Sequence, residues 1–451
     1  MDIKMFKEIV FNKAKELQLK EFEVYYSSNS SLSINVFKSD VDKYSLESDT
    51  GVSFRCIDNG KMGYSYTEKL TEEEAIALVE RAKESAIYTE STEKQFIYGG
   101  KDDYVKVNCF NEELENAKVE NKTSKILELE AETFKASDKV SHIAHCEYKE
   151  RTSEVGIINS KGLDLYHKAN NLLSYVAPIV KDGNLSYNGI GFVQGNDLGQ
   201  LNISKLSKEA IEDSLSRVGG KSIKSGRYKG IIENRAMALL LKTFAAVFSG
   251  ENAQKGLSLL NGKEGEVIAS SNINLIDNPH LEGGICTSPF DSEGVATYCK
   301  NIIKNGELVT LLHNLKTANN DNKKSTGNGV KQSYNSPVSV TPSNLYIENG
   351  DKNFEELLSV AKNGVIITEL AGTHAGANAI TGDFSLAAKG FLIEDGKKSR
   401  AIEQITISSN FFELLKSIEI VGSDLKFGMS SGSGYFGSPS VILSEIYIAG
   451  E

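Results

Sequence analysis

Two acidic residues separated by one position, Asp291 and Glu293 in the stretch SPFDSEGVAT, are the first candidates for chemistry in this sequence. In an extended strand, residues i and i+2 point to the same face, so the two carboxylates would lie side by side. Such a pair could act as a general acid and base or bind a hard metal ion. The same pattern is also typical of a polar turn or a hydrogen-bonded structural element, and both interpretations stay open from the sequence.

A second candidate is the glycine-rich stretch GTHAGANAITGDFS, which begins at Gly372. No helix start follows it closely, so its glycines do not predict a phosphate-binding loop. Its single histidine, His374, has no base or metal partner nearby in the sequence. We expect His374, Asn378 and Asp383 to lie in a turn-rich connection between strands and, like the two acidic residues above, to line a peptide cleft or a subunit contact.

Three other patterns carry weaker signals. His142 and His145 fall in a predicted strand, where positions i and i+3 point to opposite faces and do not share a metal. Gly189, Gly191 and Gly195 are not followed by a helix, which favours a strand with a bulge over a nucleotide loop. No histidine in the sequence is followed by glutamate, so an HExxH-type zinc helix is excluded.

Composition limits the class of protein. The chain has 451 residues, enough for two domains, and an ordinary 40% of hydrophobic and 25% of charged residues. A formal net charge of -11 argues against a duplex DNA binder. Five cysteines without C-x-x-C spacing favour a reducing cytoplasm, and no apolar run approaches the 18 or more residues of a membrane helix.

The elements that must position these residues divide into two halves. The first opens with an amphipathic helix whose apolar face includes Met5 and Phe6. A hairpin turns at Asn59-Gly60, and a later helix begins with a capping box at Thr71. We predict an N-terminal domain over residues 1–218 and a glycine-containing, solvated linker over 219–230.

The second half, residues 231–451, opens with the helix ENRAMALLLKTFAAVFSG, which is apolar nearly all round and is therefore predicted to be buried. Turn-rich, strand-like sequence follows it. We predict an α+β protein of two domains: an N-terminal α+β sandwich-like domain, and a C-terminal β-rich domain formed by a bent, barrel-like antiparallel sheet around that helix.

An ordered series of motifs in the second half resembles one known family. The series runs FSGENAQKGLSLLNGKEGEVIASSNINLIDNP, SPFDSEGVAT, LLHNLKTANN, STGNG, GTHAGANAITGDFSLAAKGFLIEDGK and SPSVILSEIYIAG. In this order the segments resemble the TldD/PmbA family, also called modulators of DNA gyrase, and the first half is compatible with it. The resemblance implies a cytoplasmic protease of two kinds of subunit that degrades unfolded or flexible peptides. The TldD kind carries a metal-binding HExxxH on the buried helix and a cysteine ligand near the C-terminus; the PmbA kind, also called TldE, lacks them.

Aligned on that resemblance, Lys242, Thr243 and Val247 stand opposite the first histidine, the glutamate and the second histidine of HExxxH, in that order. The last cysteine, Cys299, lies about 150 residues before the end of the sequence. The resemblance therefore implies a PmbA/TldE-like member that is not catalytic alone and has no catalytic residue, metal or cofactor of its own. Its implied partners are a TldD-like metal-bearing subunit and an unfolded peptide substrate, without direct nucleic-acid or membrane contact. A homodimer is the expected alternative when the chain is alone.

Two alternatives to this interpretation stay open. One is a stand-alone hydrolase with a different site, using His374, Asp383 or Ser385 as polar groups. The other is an adaptor or regulator linked to gyrase or to toxin-antitoxin systems through contacts with partners.

Overall fold

A computed structural model describes residues 1–90, 96–100, 103–430, 432 and 434–451. The fold is mixed α+β, as predicted, and it contains 26% helix and 40% strand. Among the described helices, none combines the length and the apolar character that crossing a membrane requires.

The first half is built on one antiparallel sheet of seven strands in the order β3-β2-β1-β4-β5-β6, with β7 also paired to β5. The strands are β1 (Glu21–Phe37), β2 (Asp40–Asp58), β3 (Lys61–Thr67), β4 (Val140–Asn159), β5 (Asp164–Asp182), β6 (Leu185–Asn188) and β7 (Gly191–Gly195). The helices are α1 (Ile3–Glu16), α2 (Glu72–Ile87), α3 (Glu112–Asn116), α4 (Val119–Lys135) and α5 (Ile203–Ser216), with a 3₁₀ turn at Leu198–Gln200.

Local sequence explains several of these elements. Helix α1 buries Phe6 as predicted, but Met5 is 53% exposed because the buried stripe is narrower than the apolar pattern. The hairpin between β2 and β3 turns at Asn59 and Gly60, whose φ angles of 48° and 77° confirm the predicted turn. At the start of α2, the Thr71 side chain accepts a hydrogen bond from the backbone N–H three residues on.

The second half contains a closed five-stranded barrel. Its strands follow the order β17-β16-β15-β8-β21, and β21 also pairs with β17, which closes the ring. The remaining strands form a six-stranded sheet in the order β11-β10-β9-β14-β20-β19 and the pair β12-β13, while β18 flanks β21. The strands are β8 (Gly226–Ile232), β9 (Leu275–Asp277), β10 (Lys300–Lys304), β11 (Glu307–Leu308), β12 (Gly329–Val330), β13 (Ser339–Val340), β14 (Asn344–Ile347), β15 (Gly364–Ala371), β16 (Asp383–Glu394), β17 (Lys397–Asn410), β18 (Ile418–Val421), β19 (Lys426–Phe427), β20 (Tyr435–Ser438) and β21 (Val441–Ala449). The helices are α6 (Asn234–Phe244), α7 (Gly250–Gln254), α8 (Leu315–Asn320), α9 (Phe354–Ala361), α10 (Thr373–Gly376) and α11 (Phe411–Ser417), with a 3₁₀ turn at Ala245–Phe248.

The predicted barrel and its buried helix are confirmed, but the barrel is not wholly antiparallel. Strands β8 and β15 run parallel, and so do β14 and β20 in the neighbouring sheet. Parallel neighbours need a crossover connection, and the chain between Ile232 and Gly364 provides one for β8 and β15. Helix α6 buries its apolar residues in the main core, where the ring of Phe244 stacks on that of Phe411 at 4.7 Å between centroids.

The segment between the halves is attached to the barrel. The predicted linker ran from 219 to 230, but β8 already begins at Gly226. Before it, the backbone of Lys221 forms a parallel bridge with Ile402 of β17, and the side chain of Ile223 is only 7% exposed. Part of the predicted linker is therefore attached to the barrel, although most of its side chains remain exposed or half-buried. The domain boundary itself stays a prediction.

Candidate functional site

Asp291 and Glu293 lie in a turn, not in the strand that their spacing suggested. The Asp291 carboxylate accepts backbone hydrogen bonds from Glu293 (2.9 Å), Val295 (3.0 Å) and Gly329 (2.9 Å). Glu293 accepts one from the N–H of Leu315 at the start of α8 (2.7 Å). A Cβ at Gly329 would lie 2.8 Å from a Glu293 oxygen and 3.0 Å from an Asp291 oxygen, so the two buried carboxylates do converge.

Two charged residues of the N-terminal sheet lie close to these carboxylates. Glu23 on β1 and Arg55 on β2 are cross-strand partners, and Nε of Arg55 donates to Glu23 over 2.8 Å. Glu23 also accepts a hydrogen bond from Asn159 on β4 over 3.3 Å. Within the described part of the chain, Nη2 of Arg55 is buried and has no hydrogen-bond acceptor. The guanidinium therefore has unused donors next to the acidic pair.

Lys331, just after β12, completes the group, which we call the interdomain charge cluster: Glu23, Arg55, Asp291, Glu293 and Lys331. Nζ of Lys331 donates to Oγ of Ser53 on β2 over 3.2 Å. The same nitrogen lies 4.5 Å from the ring centroid of Tyr25 and 5.3 Å from that of Tyr64, so two aromatic faces of the N-terminal sheet contact this cation.

The cluster shifts the ionisation of its members. Burial and the adjacent Glu293 raise the pKa of Asp291, and burial raises the pKa of Glu293. Burial, together with the positive charge of Arg55, lowers the pKa of Lys331 to about 7. Burial opposes the charge on Arg55, yet the nearby carboxylates, led by Glu23, raise its pKa above the usual value. Groups that titrate near neutral pH in a cleft are candidates for function.

A cavity of about 800 Å³ lies between the two halves at this cluster. We call it the interdomain cavity. Six of the polar residues that line it are Arg55, Tyr64, Lys255, Glu293, Asn314 and Lys331. Asp291 instead lines a separate cavity of about 240 Å³ together with His167 and Cys286. The two acidic residues therefore face different compartments, and the arrangement supports ligand binding by Arg55 and Lys331 better than acid-base catalysis by the acidic pair.

The other predicted site residues lie apart from this cluster. His374 is exposed on the short helix α10, between β15 and β16. Asn378 uses its side-chain oxygen to accept the N–H groups of Ile380 and Thr381, and Asp383 accepts a hydrogen bond from the Asn410 side chain over 2.9 Å. None of the three predicted residues lines either cavity described above. A role for them at a subunit contact stays a prediction.

The helix position that the resemblance associates with metal binding does not fit a metal ion. Lys242 carries a cationic side chain, and the hydroxyl of Thr243 donates to the carbonyl of Leu239 over 2.7 Å. Val247 is fully buried in the 3₁₀ turn after α6. These side chains offer no imidazole or carboxylate ligand. Among the described residues, no group of three or more His, Cys, Asp or Glu side chains is placed to hold a metal.

Sequence reasoning found Asp291 and Glu293 but missed Glu23, Arg55 and Lys331. One signal existed, because the alternation in EFEVYY places Glu23 on the sheet face opposite the buried Phe22 and Val24. Its burial depends on contact with the second half of the chain, which no local pattern encodes.

This two-part α+β architecture, with a closed barrel in its second half, is that of a metallopeptidase-like class of proteins. Models of the PmbA/TldA metallopeptidase domain 1, central domain and C-terminal domain match residues 22–86, 112–218 and 225–450. The chain belongs to the PmbA/TldD family.

Individual relatives agree with this membership. A metalloprotease PmbA homolog of Buchnera aphidicola (subsp. Acyrthosiphon pisum) is 31% identical over 296 residues, which cover 65% of this chain and 62% of that relative's own length. The crystal structure of a candidate modulator of a DNA gyrase from Thermotoga maritima has a TM-score of 0.91 at 32% identity, covering 99% of this chain and 100% of the other. TldE from Thermococcus kodakarensis has the same fold, with a TM-score of 0.89 at 22% identity and coverage of 98% and 99%.

Proposed function

We propose that this chain is the non-metal-binding subunit of a heteromeric cytoplasmic metalloprotease that acts on unfolded or flexible peptides. Its partner is a TldD-like subunit that carries the metal. The observation that carries the proposal is the chemistry of α6 and the turn after it, where Lys242, Thr243 and Val247 stand at the positions that the family resemblance aligns with HExxxH.

These three side chains support the assignment of metal binding to the partner subunit and not to this chain. A lysine ammonium repels a metal cation, the Thr243 hydroxyl is engaged by its own helix, and Val247 is packed in the apolar core. Restoring a metal site here would also place an imidazole among hydrophobic residues, at a cost for burying a polar group. Hydrolysis in the proposed assembly is therefore assigned to the partner, and this chain contributes peptide binding.

The interdomain cavity supports the binding role. Its volume of about 800 Å³ lies within the range of about 300 to 1,000 Å³ typical of ligand sites. Its lining combines aromatic surface from Tyr64 with charged and amide groups such as Lys331 and Asn314. A flexible peptide can use such groups for both packing and hydrogen bonds.

The test compares the chain alone with the chain co-expressed with an HExxxH-bearing family member from the same genome. Alone, it should hold no stoichiometric zinc or iron and should not cleave a casein-derived unfolded peptide. With the partner, we expect one complex on size exclusion and cleavage that a chelator abolishes. Chelator-sensitive cleavage by the partner-free chain, or failure of the two chains to associate, would contradict the proposal.

A matched variant tests whether α6 takes part in the chemistry. In the complex, Lys242→Met removes the only charge at the three motif positions without touching the core. Metal content and cleavage rate should stay within about twofold of the wild type, since a surface change of this kind is usually small in effect. A loss of cleavage by more than tenfold in a folded complex would assign this helix a direct role.

A further inference from the structure

We propose that the interdomain cavity binds a carboxylate group of a peptide, with Arg55 and Lys331 as its hydrogen-bond donors. The inference rests on the peptide-binding role proposed above and adds the chemical group that is recognised. It also places recognition in residues from both halves of the chain, since Arg55 belongs to the N-terminal sheet and Lys331 to the second half.

Unused donors are the first support. In the described part of the chain, Nη2 of Arg55 has no acceptor, and Nζ of Lys331 has one, the hydroxyl of Ser53. A lysine ammonium has three N–H donors and a guanidinium has five. Buried donors are normally satisfied, so two cationic side chains with spare N–H groups in one cavity wall indicate an absent acceptor.

The surrounding charges select a monoanion. Glu23 already accepts from Nε of Arg55, and the Glu293 carboxylate lines the same cavity. A phosphate dianion carries two negative charges, so both carboxylates would repel it more strongly than they repel a ligand carboxylate with one charge. The single carboxylate needs only the spare donors of Arg55 and Lys331. Arg and carboxylate also form planar, charge-assisted hydrogen bonds of matched geometry. The cluster therefore fits a carboxylate better than a phosphate.

Ionisation of Lys331 links this binding to pH. Without ligand, burial and the Arg55 charge lower the pKa of Lys331 to about 7. A bound carboxylate would favour the charged ammonium and raise that pKa, so binding above pH 7 takes up a proton and weakens as pH rises. The titratable and charged groups that face Lys331 are Glu23 and Tyr25 on β1, Arg55 on β2, Tyr64 on β3, and Glu293 in the turn between β9 and β10.

The experiment measures binding to the purified full-length chain by fluorescence anisotropy at pH 7 and pH 9. The probes are three N-terminally fluorescein-labelled ten-residue peptides of Gly, Ser and Ala: a free acid, its C-terminal amide, and an amide with one Glu at the penultimate position. We expect the free acid to bind at least tenfold more tightly than the plain amide at pH 7 and to lose that advantage at pH 9. The Glu-containing amide distinguishes a C-terminal carboxylate from an acidic side chain as the group bound, and preference for either one supports the proposal.

Variants assign the effect to the cluster. Lys331→Met and Arg55→Lys should each reduce binding of the free acid about tenfold, to near that of the amide; Arg55→Lys keeps a cation opposite Glu23 but removes the guanidinium fork. Lys304→Met is the matched control, because Lys304 is an exposed lysine of β10 that does not line the interdomain cavity. It should change binding by less than twofold.

Equal binding of all three peptides, or equal losses of binding in Lys331→Met and Lys304→Met, would overturn the inference. So would the absence of any peptide binding at peptide concentrations up to the millimolar range. These outcomes would not contradict the proposed function, because assembly with the metal-bearing partner and chelator-sensitive cleavage are measured without these probes. Thermal unfolding of each variant shows whether it is folded. If Lys331→Met does not fold, the loss of free-acid binding in Arg55→Lys tests the inference instead.

Discussion

At the scale of single residues, the interdomain charge cluster is the least ordinary feature of the molecule. Burying a charge is costly unless partners and hydrogen bonds compensate it. Glu23 and Arg55 compensate each other, with the Arg55 side chain 13% exposed and that of Glu23 1% exposed. Among the residues that the structure describes, Lys331 has two aromatic faces and one hydroxyl as its neighbours instead of a direct carboxylate partner. A site that holds a lysine in this way keeps its charge sensitive to pH and to ligands.

The lowered pKa of Lys331 predicts a pH-dependent stability. Between its folded pKa of about 7 and the ordinary value of 10.5, the unfolded chain binds more protons at this lysine than the folded chain does. The free energy of unfolding therefore rises with pH in this window, by at most about 1.4 kcal/mol per pH unit from this group. The difference in stability between the wild type and Lys331→Met, measured by urea unfolding from pH 7 to pH 9, should increase with pH in favour of the wild type.

The Lys255→Met variant provides the control for this measurement. Lys255 is exposed and pairs with Glu251 on its own helix turn. The difference in unfolding free energy between Lys255→Met and the wild type should therefore not change between pH 7 and pH 9. A flat profile for Lys331→Met would show that Lys331 keeps an ordinary pKa in the folded protein.

At the scale of elements, helix α6 links the barrel to the neighbouring sheet. Its residues pack in the same core as the inward face of the barrel strands, and Phe244 lies at the contact with α11. The ring of Phe244 stacks on Phe411 at an interplanar angle of 15° and also lies 5.9 Å from the ring of Phe384 on β16. One side chain thus joins the buried helix, the barrel and a second helix.

Truncation of Phe244 should be severely destabilising. Phe244→Ala removes a fully buried ring and leaves a cavity, which costs about 3–5 kcal/mol of unfolding free energy. Phe412→Ala is the control, because Phe412 contacts the same Phe411 edge-on at 6.0 Å but is only partly buried. It should lose less than about 2 kcal/mol. Equal shifts of the urea midpoint in the two variants would contradict the prediction that the Phe244 ring contributes more to stability than the partly buried Phe412 ring.

Local elements were predictable from sequence, whereas their assembly was not. The hairpin at Asn59-Gly60, the start of α2 and the burial of α6 follow from turn preferences, capping and apolar periodicity, all of which act over a few residues. The parallel pairing of β8 with β15 joins strands far apart in the chain, and no local signal specifies it. The same limit applies to the site: the spacing of Asp291 and Glu293 was visible, but their meeting with Arg55 depends on docking of the two halves.

At the scale of the whole molecule, the two halves are connected by more than the segment between them. Arg217 pairs with Glu369 of β15, and the guanidinium of Arg235 on α6 lies 4.4 Å from the ring of Phe192 on β7. Tyr64 donates its hydroxyl to the carbonyl of Tyr334. These contacts and the bridge at Lys221 join the two halves in addition to the predicted linker.

The connecting segment should therefore resist proteolysis. Ile223→Ser removes the apolar anchor that holds residues 219–225 on the barrel, and trypsin cleavage after Lys221 or Lys224 should accelerate at least about tenfold. Ile87→Ser is the control, since Ile87 is an exposed residue of the first half and its loss leaves the segment in place. Mass spectrometry of the first fragments gives the cleavage sites. Rapid cleavage of the wild type in this segment would contradict the anchoring.

The way the barrel closes also has a consequence for biosynthesis. Strand β21 lies between β8 and β17 and follows both of them in the chain. During translation the N-terminal sheet can fold as soon as it leaves the ribosome, but the ring cannot close until β21 has emerged as well. Until then β8 and β17 each have an unpaired edge, and such edges promote aggregation. The nascent chain is therefore most in need of chaperone protection in the interval between the emergence of β17 and that of β21.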